Sequence, residues 1–102
     1  MKIIKDLVEE IKEELEGAGD YAERAMKHKG LDDGFTSMYA EMAGQEMGHV
    51  EKLHAKVQDV IKKYRQEHGE PPAGMQAIWD HEHKQLIQRA GEIRAMIDMA
   101  RR

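Results

Sequence analysis

Three long stretches of this chain repeat their apolar residues every three or four positions, and only two short breaks interrupt them. Spacing of that kind sustained over more than twenty residues predicts amphipathic helices. The first stretch runs from about 3 to 28, with Ile4, Leu7, Ile11, Ala18, Tyr21 and Ala25 as its seam and Val8, Leu15, Ala22 and Met26 alongside. Gly30 then ends one helix and Asp32 or Asp33 caps the next. The second stretch, about 33 to 67, carries Phe35, Met38, Tyr39, Met42, Leu53, Val57, Val60, Ile61 and Tyr64. Pro71 and Pro72 stop it, because proline cannot continue a helix but can begin one. The third, about 74 to 100, has Met75, Trp79, Leu86, Ala90, Ile93, Ile97 and Ala100, flanked by Ile78, Ile87 and Met96. Nothing reads as a strand or an internal repeat. The expectation is one all-α domain over residues 1–102, an antiparallel helical hairpin followed by a third helix.

Each seam has a slot taken by an ionisable residue: Glu14 in the first, Glu46 and His49 in the second, Glu82 in the third. An unpartnered buried carboxylate costs several kcal/mol. The plain account is a helix turned slightly, so that the acid sits wet at the edge of the stripe, and for any one such residue this is the commoner outcome. Register links three of them. Glu14 lies 17 residues before Leu31, while Glu46 and His49 lie 15 and 18 after it. In an antiparallel pair all three fall at one height, within about one turn of ~5.4 Å. Two carboxylates and an imidazole converging there make half of a carboxylate-bridged metal centre, with donors suited to iron or manganese and acceptable to zinc. Without a metal, the facing carboxylates would raise at least one pKa and the histidine would have no role. The same count from Pro71 puts Glu82 roughly 18 Å from that level. Helix three is therefore not expected to complete the site, and a second chain is.

Composition narrows the classes of function. Charged residues make up 35% of the chain and apolar ones 40%, so a single layer of helices buries little surface alone and association is expected. A net charge of −4, with no basic run beyond Arg101-Arg102, argues against a nucleic-acid surface. The absence of cysteine excludes disulfides, thiolate metal sites and iron–sulfur centres. The charged first residues do not form a signal peptide and no apolar run approaches a membrane span, so a cytoplasmic address is the expectation.

The polar slots resemble a known pattern. The ferritin-like di-iron proteins place one Glu on each of two helices and Glu-x-x-His on each of two others, inside a four-helix bundle. This chain has one copy of each, Glu14 and Glu46-x-x-His49. Glu14-Leu15 followed by Tyr21 resembles the first helix of ferritins and bacterioferritins, and Glu46-Met47-Gly48-His49 with Leu53 resembles the second. The run Glu13-Glu14-Leu15-Glu16, then Asp20-Tyr21, is most similar to the encapsulated-ferritin branch, in which two chains build one bundle. The resemblance covers residues 5 to 64 and leaves out helix three. It implies a homodimer or higher homo-oligomer holding a non-haem di-iron centre that oxidises Fe(II), with a shell protein as an encapsulating partner. Glu46 would bridge the metals, with Glu14 and His49 as terminal ligands. Tyr21 would donate a hydrogen bond to a carboxylate, or serve simply as a seam aromatic.

Other residues have simpler expectations. Glu10, Glu13 and Glu16 read as a solvated face, the methionines as adaptable core filling, and Trp79 as an anchor for helix three. Asp80 and His83 have ligand spacing, but register offers them no partner, so a surface role is expected of them.

Overall fold

Gly30, with φ of 79°, takes the left-handed conformation that glycine tolerates best, and there the first helix, α1 (Lys2–His28), turns into the second, α2 (Asp33–His68). Asp32 caps α2, its Oδ1 accepting from the Phe35 N–H at 3.0 Å. Gly69, with φ of 76°, ends α2 by donating its N–H to the Arg65 carbonyl, and Pro72 precedes α3 (Ala73–Arg101). The computed structural model describes residues 2–102, and among them there is no strand. Among the described residues no helix is long and apolar enough to cross a membrane. The three helices and both breaks fall within a residue or so of the positions read from the sequence.

The helices form a rod of about 55 × 18 × 18 Å. α1 and α2 pair along their length, and α3 lies against both, more closely against α1. The core joins Ile4, Ile11, Leu15, Ala18 and Ala22 of α1 to Ala43, Met47, Val50 and Val57 of α2 and to Ala90, Ile93 and Ile97 of α3. The seam of α3 is the one its spacing predicts.

The seams of α1 and α2 are turned from their expected positions. On α1 the supposed flankers Leu15 and Ala22 are fully buried, while Leu7 and Tyr21 are only half-buried. On α2 the buried line is Thr36, Ala40, Ala43, Met47, Val50 and Val57, whereas Phe35 and Met38 are 48% and 43% exposed. The reason is that α2 carries two adjacent apolar stripes. The stripe of small residues lets α1 and α3 approach closely, and the stripe containing Met38, Met42, Glu46 and His49 is left on the open side of the hairpin. Periodicity reports both stripes alike.

Packing changes character along the rod. One end is closed over small residues: Ala18, Ala22 and Ala25 of α1, Ala40 and Ala43 of α2, Ala90 and Ala100 of α3. Gly19 belongs here too, with Arg89 and Ile93 of α3 filling the space a side chain would need. At the other end α3 stands off, leaving a partly open cavity of about 1310 Å³ walled by residues such as Ile4, Val8, Ile61 and Trp79.

Candidate metal centre

Glu14 reaches the open side of the hairpin from the middle of α1, and Glu46 and His49 meet it from one turn of α2. One donor atom from each lies within 4.8 Å of the other two. His49 Nδ1 is 3.2 Å from Glu14 Oε2. Gly17, one turn beyond Glu14, leaves room for the Glu46 carboxylate, whose Oε2 lies 3.6 Å from the position a Cβ would occupy there. Register thus placed the three residues at one level correctly. Their environment differs from the expected interior, because His49 is 54% exposed at its side chain and Glu14 29%. In a single chain the cluster sits wet at the edge of the stripe.

The two carboxyls face each other, and their pKa values move in opposite directions. Glu14 is held below its ordinary value, chiefly by the hydrogen bond from Glu46, with burial opposing and His49 adding to the effect. Glu46 is pushed above its ordinary value by that same bond, then by burial and by the negative charge of Glu14, while His49 acts against the rise. Two carboxylates and an imidazole are a donor set that a divalent iron, manganese or zinc ion accepts.

Tyr21 packs against Tyr39, ring centroids 6.2 Å apart, with the Arg24 guanidinium 5.6 Å above its ring. Its hydroxyl makes no hydrogen bond among the described residues, so it serves as an aromatic packed against the core. His28, Phe35 and Tyr39 continue this aromatic group toward the first turn.

Glu82 stays outside the cluster for a reason other than height. Lys12 Nζ lies 3.1 Å from Glu82 Oε2, a pairing that an 18 Å offset would not permit, although its angles do not make a hydrogen bond. Lys12 and Glu14 are two residues apart, roughly 200° around α1. Glu82 therefore faces the opposite side of the hairpin. Asp80 and His83 lie on that side as well, and His83 meets His54 of α2, a residue that the spacing of Glu46 and His49 did not single out. Counting back from Pro71 gives no signal for this pair, since His54 lies 17 residues before it and His83 only 12 after.

Gly17→Ala tests how much room the site needs. Alanine gains ~1 kcal/mol of helix propensity over glycine, and its methyl would meet Glu46 at an ordinary contact distance. The metal-free chain is expected to gain about that amount in urea denaturation. A loss of stability would mean that Glu46 cannot give way.

No family model, curated protein or solved structure matches the chain. The fold and the cluster therefore define its class directly: an all-α protein of three helices with a carboxylate–imidazole cluster on the open face of a hairpin.

Proposed function

We propose that two copies of the chain associate through the open face of the α1–α2 hairpin into a ferritin-like four-helix bundle, and that the joined half-sites bind and oxidise Fe(II). The observation that carries this reading is the convergence of Glu14, Glu46 and His49 within 4.8 Å on a face α3 leaves uncovered. Half-exposed Phe35 and Met38 continue that face with the apolar surface a partner hairpin would cover.

Two chains supply four carboxylates and two imidazoles for two metals. Fe(II) is the substrate, each ion giving one electron to dioxygen or peroxide. Glu46 would supply the bridging carboxylate, Glu14 a terminal one, and His49 a ring nitrogen. Burial of the face on dimerisation would exclude water and strengthen each of these contacts. Iron is the metal this reading takes, with manganese or zinc as substitutes. A cytoplasmic address goes with it, with a shell protein as an encapsulating partner.

The test is an anaerobic Fe(II) titration followed by admission of oxygen. Binding of two Fe(II) per dimer, lost in Glu46→Ala and in His49→Ala, together with oxygen uptake, is the expected result. Unchanged binding in both variants would overturn the reading.

One observation favours a second reading. His49 and Glu46 both already meet the Glu14 carboxylate by hydrogen bonds, so the face could serve as an oligomer seam with a structural metal or none. Metal-loaded dimer without oxygen uptake would identify the structural metal. Metal-free dimer whose melting ignores chelator would identify the bare seam.

A further inference from the structure

We propose that His54 and His83 form a transition-metal site that clasps the N-terminal half of α3 to α2. It shares no residue with the Glu14 cluster and does not depend on the function proposed for it.

The two Nε2 atoms are 2.9 Å apart, although the residues are 29 positions apart in sequence. The ring planes differ by 6° and the centroids are separated by 5.0 Å. A hydrogen bond of that length plus a ring radius at each end accounts for the centroid spacing, so the rings lie edge to edge in nearly one plane. Each presents its Nε2 to the other, with one proton between them. Two imidazole nitrogens from different helices suit Zn2+, Cu2+ or Ni2+. At a Zn–N length of 2.0–2.1 Å, tetrahedral ligands stand about 3.3 Å apart. The pair has only to open by a few tenths of an ångström and tilt its rings toward a common point.

Asp80 does not reach the pair as it stands but would become the next donor by rotating toward it. It sits three positions before His83, on the same side of α3, and lines the same cavity. Its Oδ1 now accepts from the Gln76 amide at 2.9 Å, an exposed bond that side-chain rotation can exchange for a metal. Water in the partly open cavity completes the coordination. The proton balance is simple: the ring whose Nε2–H lies between the pair moves that proton to Nδ1, and both Nε2 lone pairs face the ion. Burial, followed by the charge of His83, holds His54 below its ordinary value, which keeps its lone pair available near neutral pH.

The location gives the site a purpose. This half of α3 borders the cavity, and its other polar ties to the hairpin are Lys12–Glu82 and the exposed Arg65–Gln76 bond of 2.9 Å. Surface contacts of that kind hold an element weakly. A metal across His54 and His83 would fix the spacing of α3 and the width of the cavity mouth.

Trp79, the one tryptophan in the chain, lines the same cavity and reports on it. Cu2+ added to the full chain is expected to quench Trp79 saturably, and Zn2+ to raise the melting temperature. The quenching should vanish in the His54→Gln/His83→Gln double variant, and the Zn2+ shift should shrink to whatever the Glu14 cluster contributes. Absence of quenching in the wild type, or quenching retained in the double variant, overturns the proposal. Should the double variant not fold, imidazole nitrogen shifts of the wild-type chain decide: movement of Nε2 in both rings on Zn2+ addition supports the clasp, and unmoved resonances refute it.

Discussion

Replacing Glu46 with glutamine is expected to abolish Fe(II) binding while leaving the metal-free chain at least as stable as the wild type at neutral pH. If Glu46 bridges the metals as proposed, its loss should weaken binding by more than the roughly 10–100-fold that a mere supporting residue costs. Stability follows from the two carboxyls moving in opposite directions. Glu46, raised above 4.5, contributes stability that is fully present below that value and is lost as pH rises through its folded pKa. Glu14, lowered below 4.5, contributes stability present above that value and lost as pH falls. Glutamine keeps a neutral donor beside Glu14 and removes the charge that would repel it. The variant's advantage should therefore be largest at neutral pH and shrink toward about pH 4.5. Urea denaturation across that range, paired with anaerobic Fe(II) titration, checks both halves. Retained binding would remove Glu46 from the ligand set, and a large loss of stability at neutral pH would mean that the ionised carboxylate supports the fold.

Ile93→Ala should destabilise the chain by about 2–5 kcal/mol, the range for truncating a fully buried aliphatic side chain. Ile93 is wholly buried, and the other residues buried along α3 are Ala90, Ile97 and Ala100, so only two bulky side chains anchor this helix deeply. Its Cδ1 stands close to Gly19, where α1 has no side chain to fill a void left by truncation. The loss should show as a lower urea midpoint and as early proteolysis within α3. Ile78→Ala, at a residue 64% exposed, should change little. Equal effects from the two variants would mean that α3 is not held by this seam.

The helices were legible because their ends are set by local chemistry: Gly30, Asp32, Gly69 and Pro72 act on their own backbone neighbours. The level of Glu14, Glu46 and His49 was legible because a short turn fixes the register of a hairpin. Which way α2 faces was not. Ala40, Ala43 and Met47 on one stripe and Met38 and Met42 on the next are equally apolar, and the choice depends on where α3 settles. Counting from Pro71 failed for Glu82 and missed His54 because α3 does not fold back symmetrically about that proline: against α1 it is shifted alike at both ends of the rod, with Lys12 meeting Glu82, Gly19 meeting Arg89 and Lys29 meeting the Met99 carbonyl. Tyr21 shows a different limit. A motif fixes its place two turns along α1 from Glu14, while the orientation of its ring depends on Tyr39 and Arg24.

The change from alanine-lined contacts at one end of the rod to an open cavity at the other makes its breathing directional. Backbone amides near Ala18, Ala43 and Ala90 are expected to open only with the whole molecule, whereas those in the first turns of α3 should exchange with solvent while the rest stays folded. The chain is thus a hinged pair of tongs, gripped at the end where α3 finishes and free to part where it starts.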